Sequence, residues 1–363
     1  MLGDGDSAAV AAVWHGRDDG FDLRPLRLPD LSEGETLVRV GMATICGSDL
    51  HTIRGERPTP LPTILGHEMV GTVAAVEGEV TAVDQRVVRP GMRVTWSICT
   101  SCGRCSRCTR GMPNKCRAMR KYGHESVNDE WALNGAFATH CHLTSDTALV
   151  VLPDGVGDAL LTPANCATAT VVGAVDRAGG CASDVVLVQG CGMLGLTAIA
   201  YSRYLGARAV IASDVDTARL DIATSLGATH VATPDALESV VRRVSGAEGV
   251  DLVLELSGDR TAVQNTFEML GVGGRLCLVG SVFPSEPVTF VPESVVRGLH
   301  RIIGAHNYTP RDLLAAVAFL ADVDGVTQRL LSGMVSPPFR LDDIDQAVAA
   351  AQSHAYARTA LTP

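Results

Sequence analysis

The sequence predicts an α/β chain in which a doubly wound parallel sheet follows a β-rich, barrel-like part. Three observations carry this. Strand and helix patterns alternate from about residue 167 to 305, the signature of a parallel sheet with helices on both faces. Gly190, Gly192 and Gly195 form a G-x-G-x-x-G run between an apolar strand and a helix. The N-terminal part instead has short β-rich segments broken by glycine and proline.

Taken in order, "ETLVRVGMAT" (35–44), "EMVGTVAAVEGEV" (68–80) and "GMRVTW" (91–96) are the N-terminal strand candidates. "DVVLVQG" (184–190) is apolar and β-branched without alternation, as a strand buried on both faces requires. "GCGMLG" (190–195) follows, and "LTAIAYSRYLG" reads as a helix ending at Gly206. The glycines permit a tight turn and close approach of a pyrophosphate to the helix N-terminus, with Met193 and Leu194 in the same loop. The strand "ARAVIAS" leads to Asp214, 19 residues after Gly195. An acid about 20 residues beyond the glycines suits the adenosine ribose of a dinucleotide and repels a 2′-phosphate, so NAD(H) is expected over NADP. Asp216 competes for that role. "VDLVLELSG" (250–258), "GGRLCLVG" (273–280) and "LHRIIGAH" (299–306) read as further strands, with a helix "TAVQNTFEML" (261–270) among them. "RDLLAAVAFLADV" (311–323) and "LDDIDQAVAAAQ" (341–352) read as tail helices.

At 363 residues and 46% hydrophobic content, two sizeable cores are possible. The net charge of −10 disfavours general nucleic-acid or anionic-membrane binding. No apolar run reaches the roughly 18 residues of a membrane helix. Asp4 and Asp6 stand where a signal peptide needs positive charge. A cytoplasmic location follows as an expectation, with no membrane or nucleic-acid partner.

In a reducing compartment, eleven cysteines argue for metal before disulfides. Cys102, Cys105, Cys108 and Cys116 are spaced C-x2-C-x2-C-x7-C among Arg104, Arg107, Arg110 and Lys115. Four thiolates close the shell of a tetrahedral Zn2+ and leave no position for water, and the cations offset the excess negative charge. Cys99, three residues before Cys102, allows another register. A second group comprises "CGSDLH" (46–51) and "GHE" (66–68). Cys46 and His67 suit zinc, Asp49 and Glu68 are carboxylates that can orient an imidazole or tune the ion, and Ser48 and His51 can carry a proton outward.

These motifs, in this order and spacing, resemble the zinc-dependent medium-chain alcohol dehydrogenases over nearly the whole chain. The resemblance implies a GroES-like catalytic domain over 1–166, a Rossmann domain over 167–305 and a return to the catalytic domain over 306–363. It implies two zinc ions per chain: a structural one on Cys102, Cys105, Cys108 and Cys116, with Cys99 outside, and a catalytic one on Cys46, His67 and Cys166, the last from "NCATAT". Glu68 is implied as an auxiliary residue, Thr170 accompanies Cys166, and Arg219 matches a basic position near the ribose. The implied reaction oxidises a small alcohol reversibly with NAD(H), its proton passing from Ser48 through the cofactor ribose to His51. A homo-dimer or homo-tetramer is implied by relatives. "MATICGSDLHT", "PTPLPTILGHE", "KYGHE" and "NCATAT" resemble more closely a subgroup proposed to act in phosphonate metabolism. That makes a hydroxyalkyl phosphonate a candidate substrate, with Arg54, Arg57, Lys121 and His124 as candidates for its anionic group; polyols and other secondary alcohols are the alternative. A metal-free reductase on the same architecture would lack both thiol groups. A non-enzymatic zinc- and NAD-binding regulator would not need the Ser48–His51 set.

Overall fold

The computed structural model describes residues 8–363; Asp4 and Asp6 lie outside the described residues. Contacts divide the chain into two compact units, one of Met1–Cys166, Thr309–Asp322 and Ser332–Pro363, the other of Ala167–Tyr308 and Val323–Leu331.

The first unit opens with β1 (Ala8–Trp14), β2 (Phe21–Arg27) and β3 (Thr36–Ile45), then a short helix α1 (Gly47–Ile53). After it come β4 (Thr63–Ile64), β5 (Glu68–Val76), β6 (Arg93–Trp96), β7 (His140–Leu143) and β8 (Leu149–Val151). β3 and β5 are the long central pair, antiparallel from Thr36↔Val76 to Thr44↔Glu68. Two register shifts bend that pair, at Leu37/Val38 and Val40/Met42. The largely aliphatic core of this unit holds an aromatic cluster: Trp96 meets Tyr122 edge-on at 6.3 Å, and Tyr122 meets Trp131 at 5.0 Å. Edge-to-face contact suits the ring quadrupoles. The unit continues through α2 (Asp158–Leu161) and a 3-10 turn, Thr162–Asn165, to Cys166.

The second unit begins with α3 (Ala167–Arg177) and β9 (Val185–Gln189), every residue of which is buried. α4 (Met193–Tyr204) follows the glycine loop. A Cβ on Gly195 would stand 1.8 Å from the Gly190 carbonyl oxygen, so only glycine lets α4 pack this close to β9. Gly206, at φ +82°, stops the helix in the left-handed region. Then come β10 (Ala209–Ser213), α5 (Thr217–Ser225), β11 (His230–Ala232), α6 (Leu237–Ser245), β12 (Val250–Glu255), α7 (Arg260–Thr266), β13 (Leu270–Leu278), α8 (Pro292–Gly298) and β14 (Arg301–Gly304). The strands form one parallel sheet in the order β11-β10-β9-β12-β13-β14. The mixed GroES-like and Rossmann-like α/β architecture is therefore as the sequence indicates.

Two segments differ from the sequence reading. "TAVQNTFEML" is helical only to Thr266, because Leu270 pairs with Val250 and opens β13. Strand pairing with a buried neighbour outweighs the local helical pattern. In the tail, α9 (Pro310–Asp322) belongs to the first unit, whereas residues 323–331 group with the second. Asp324 accepts the backbone N–H groups of Val326 and Thr327 and so starts a separate helix, α10 (Gly325–Ser332). The chain then adds β15 (Phe339–Arg340), α11 (Ile344–Gln352) and β16 (Thr359–Thr362) to the first unit. β16 pairs with β3, closing a sheet ordered β15-β16-β3-β5-β6-β8, with β7 also on β3. Among the described residues no helix is long and apolar enough to cross a membrane.

Candidate metal centres and dinucleotide loop

The first centre is built on the N-terminus of α1. Cys46 is the extended N-cap residue, and its N–H donates to Asp49 Oδ2 at 2.9 Å, which fixes the first turn. Asp49 Oδ1 lies 3.3 Å from His67 Nδ1 and accepts the Gly66 N–H at 3.4 Å. A buried carboxylate on Nδ1 leaves Nε2 to face the centre, the arrangement that orients a metal-binding imidazole. Ser48 Oγ stands 3.3 Å from that Nε2. The donor atoms of Cys46, His67, Glu68 and Cys166 all lie within 4.8 Å of one another.

Three residues that the sequence reading passed over hold this group. Asn165 is fully buried; its amide donates to the carbonyls of His67 and Trp96 at 3.0 and 2.8 Å, and its oxygen accepts the Met69 N–H at 3.2 Å. It ties the segment that presents Cys166 to the segment that presents His67. Thr44 donates to Glu68 Oε2 at 2.6 Å. Arg358, 7% exposed, reaches from the C-terminal tail: its Nε bonds Glu68 Oε2 at 2.7 Å and its Nη2 lies 3.5 Å from Cys46 Sγ. The only sequence signal for Asn165 is its place beside Cys166; Arg358 has none, since its partner is 290 residues away.

The electrostatics favour a cation. The Cys166 thiol beside it, then Arg358 and His67, hold Cys46 well below the usual thiol range, against the effect of burial. Cys46 and burial push Cys166 up. Burial alone would lower His67, yet Asp49 and Cys46 raise it to about 10. Surroundings that draw a proton so strongly also draw a metal ion, which competes for the same lone pairs. Glu68 Oε1 is buried without a hydrogen-bond partner. Two sulfurs, one imidazole and an unengaged carboxylate oxygen fit zinc in both ligand type and softness.

Arg358 is expected to be a large contributor to stability. Removing one member of a buried ion pair strands the other and costs about 3–5 kcal/mol. Arg358→Met should therefore lower the urea midpoint by a corresponding amount, and a loss below about 1 kcal/mol would contradict the pairing.

The second centre is the Cys102, Cys105, Cys108 and Cys116 group, also within 4.8 Å of one another. Cys105 and Cys108 sulfurs are 3.6 Å apart and Cys102 and Cys116 sulfurs 3.5 Å. A tetrahedron with Zn–S bonds of about 2.3 Å has edges of about 3.8 Å, close to these spacings. Backbone N–H groups of Arg117, Cys108 and Arg107 pull Cys105 down to about 6. Burial and the sulfurs of Cys105 and Cys116 push Cys108 up to about 12. Cys99 is buried and outside the group, its backbone bridged to Lys121.

The dinucleotide loop lies in the second unit. Gly190 sits at φ +89° after β9, and Gly192 caps α4, whose first residues are Met193, Leu194 and Gly195. Asp214, at the end of β10, accepts the Cys191 N–H at 2.6 Å and the Asp216 N–H at 2.9 Å, so it braces the loop it neighbours. Asp216 instead caps α5 through the Ala218 N–H, and Arg219 Nε lies 3.5 Å from it. Thr170 is half-buried on α3. His51 is at the more exposed end of α1, its Nδ1 against Glu56 and 3.2 Å from Arg54 Nη2, not against Ser48.

Two family models match the chain: the alcohol dehydrogenase GroES-like domain over residues 32–154 and the zinc-binding dehydrogenase over residues 194–322. L-threonine 3-dehydrogenase of Anaeromyxobacter dehalogenans is 31% identical over 343 residues, 91% of this chain and 92% of that protein. An alcohol dehydrogenase structure from Thermotoga maritima superposes with a TM-score of 0.92 at 28% identity, over 98% of this chain and 99% of that one. A structure from Sinorhizobium meliloti 1021 solved with NADP gives 0.83 at 25% identity, over 99% and 100%. The chain belongs to the zinc-dependent medium-chain dehydrogenase family and is an oxidoreductase of that family.

Proposed function

We propose that this chain is a zinc-dependent, NAD-linked alcohol dehydrogenase that interconverts a small alcohol and its carbonyl compound, and that its substrate is a hydroxyalkyl phosphonate. The observation that carries the activity is the convergence of Cys46, His67 and Cys166 with Ser48 beside them. Cys46, His67 and Cys166 would hold the catalytic ion, with Glu68 Oε1 as an auxiliary donor, and Cys102, Cys105, Cys108 and Cys116 a structural one. Bound Zn2+ supplies Lewis-acid polarisation of the substrate oxygen, and bound NAD(H) supplies hydride transfer.

The chain's own residues orient and move the proton. Ser48 Oγ, held 3.3 Å from His67 Nε2, takes the substrate hydroxyl proton as it releases its own toward His51, so the serine stays neutral throughout. His51, on the same helix three residues on and partly exposed, passes a proton to solvent, with Glu56 on its Nδ1. Asp49 fixes the tautomer of His67. Ser48→Ala should lower kcat about 10²-fold or more at unchanged zinc content, the usual worth of a positioned proton acceptor. Full activity in that variant would remove Ser48 from the relay.

NAD is the favoured cofactor because Asp214 presents a carboxylate beside the glycine loop. Its two backbone bonds leave lone pairs for ribose hydroxyls, while a 2′-phosphate would meet like charge. Thr170 and Arg219 are proposed to complete that site. A homo-dimer or homo-tetramer is supported by the sheet edge at β14. There Val296, Leu299 and Ile302 are 71%, 68% and 44% exposed and α8 has no buried residue. Sedimentation velocity reads this directly.

The deciding experiment is a substrate panel with NAD and NADP: 1- and 2-hydroxyethylphosphonate, L-threonine, 2,3-butanediol and simple primary alcohols. NADH formation fastest with a phosphonate supports the reading. A clear preference for L-threonine, the substrate named for the relative above, or for neutral diols would replace the phosphonate.

A further inference from the structure

The sheet of the second unit reverses its strand order beside β9: β10 and β11 lie to one side, β12, β13 and β14 to the other. In an open parallel sheet, ligands bind outside the carboxyl ends of the strands at such a reversal. Glu255 is the last residue of β12, paired with Gln189 at the end of β9 and Leu278 at the end of β13. It therefore stands at the reversal, and it is 0% exposed. Its Oε1 accepts the Ser257 N–H and the Gly258 N–H, each at 2.8 Å, together with the Ser257 hydroxyl. Oε2 lies 3.4 Å from Ser281 Oγ. The Glu255 backbone carbonyl accepts the N–H groups of Val279 and Gly280 at 3.0 and 2.9 Å.

Burying a carboxyl group costs free energy that hydrogen bonds must offset. The donors to this one are neutral N–H and O–H groups, and each belongs to a turn that follows a strand. What the bonds secure is a fixed shape for two turns, 256–258 after β12 and 279–281 after β13. The first of these rests on the dinucleotide loop. The Leu256 N–H donates to the Gln189 carbonyl at 2.9 Å, and a Cβ on Gly190 would stand 2.8 Å from Ser257 N. The two turns also touch, since a Cβ on Gly280 would stand 2.4 Å from Gly258 N. Ser257 Oγ accepts the Asp259 N–H at 3.0 Å, and Asp259 caps α7 through the Ala262 N–H. Ser257 is exposed, so the braced turn is open to a ligand.

In the NAD-linked reading above, Asp214 takes the adenosine ribose at the end of β10, on one side of the reversal. A fold built of two mononucleotide-binding halves then leaves the nicotinamide half to the β12 side. Resting on that reading, we propose that Glu255 is a positioning residue for the nicotinamide half of the cofactor. It holds the turns 256–258 and 279–281 in the shape that this half binds. Glu255 is itself enclosed, so it acts through the turns and not by contact.

The test uses the purified zinc-loaded protein and titrates two ligands by calorimetry: NADH, which spans both halves, and 5′-AMP, which fills the adenosine half alone. Glu255→Ala leaves the Ser257 and Gly258 donors without their acceptor. It should weaken NADH binding about 10–100-fold, as expected for lost hydrogen bonds to a charged group. Glu255→Gln keeps an acceptor oxygen without the charge and should weaken it about 2–10-fold. 5′-AMP should bind wild type and both variants within about twofold, because its half of the site is separate. Should Glu255→Ala not fold, Glu255→Gln and Ser257→Ala, the latter at an exposed position, decide by the same comparison. A loss shared equally by NADH and 5′-AMP would make Glu255 a support of the fold alone and overturn the proposal, as would unchanged binding of both. If wild type takes NADPH instead of NADH, the NAD preference fails by itself, and NADPH against 2′,5′-ADP decides Glu255 in the same way. Wild type that binds neither dinucleotide would sink the cofactor reading and this proposal together.

Discussion

Cys166→Ala is expected to abolish alcohol oxidation while leaving the protein folded. Cys166 follows the Thr162–Asn165 turn and is only partly buried, so alanine leaves a small void. What is lost is one of the two sulfurs near His67 Nε2. The remaining Cys46 and His67 form too sparse a ligand set to hold zinc against solvent, and the Lewis acid goes with it. A fall in kcat/KM of at least three orders of magnitude, about 4 kcal/mol of transition-state stabilisation, is expected. Bound zinc should fall by one ion per chain, and the far-UV spectrum and thermal midpoint should change little. Turnover within tenfold of wild type would show that Cys166 is a bystander.

Cys105→Ser is expected to do the reverse, damaging the fold before the chemistry. Between Cys99 and Cys116 the only regular element is a 3-10 turn, Pro113–Lys115, and Cys102, Cys105 and Cys108 are each partly exposed. With so little apolar burial, order in the segment would depend on an ion held by the four sulfurs. Losing the ion should cost at least about 4 kcal/mol, as metal loss belongs among the few single changes of that size. The thermal midpoint should fall by about 10 °C. Limited proteolysis should cut first between residues 99 and 121. A variant with unchanged midpoint and protease pattern would mean that the four sulfurs are not a stabilising metal site.

The parts of the fold that could be read in advance are those whose signal is local. β9 opens with four apolar residues, Val185 to Val188, and β12 carries Leu252, Val253 and Leu254 between Asp251 and Glu255, because parallel strands bury both faces, and Gly195 follows from a backbone contact inside one strand–turn–helix unit. The four-cysteine group is legible for the same reason: its donors lie within fifteen residues, Cys102 to Cys116. What could not be read is long-range. Arg358 matters only because β16 returns to β3, which no pattern near Arg358 announces. Asn165 looks like any turn asparagine until its amide meets the carbonyls of His67 and Trp96. The early end of α7 was hidden likewise, since Leu270 is recruited by Val250 across the sheet.

The central claim is that Cys46, His67 and Cys166 hold an ion distinct from the one held by the four-cysteine loop. Metal analysis by plasma mass spectrometry on wild type, Cys166→Ala and Cys105→Ser, paired with turnover of each, tests it most directly. Two zinc ions per wild-type chain, one in each variant, and turnover lost outright in Cys166→Ala are the predicted result. Wild-type protein with no zinc, or Cys166→Ala with two ions and undiminished turnover, would contradict it.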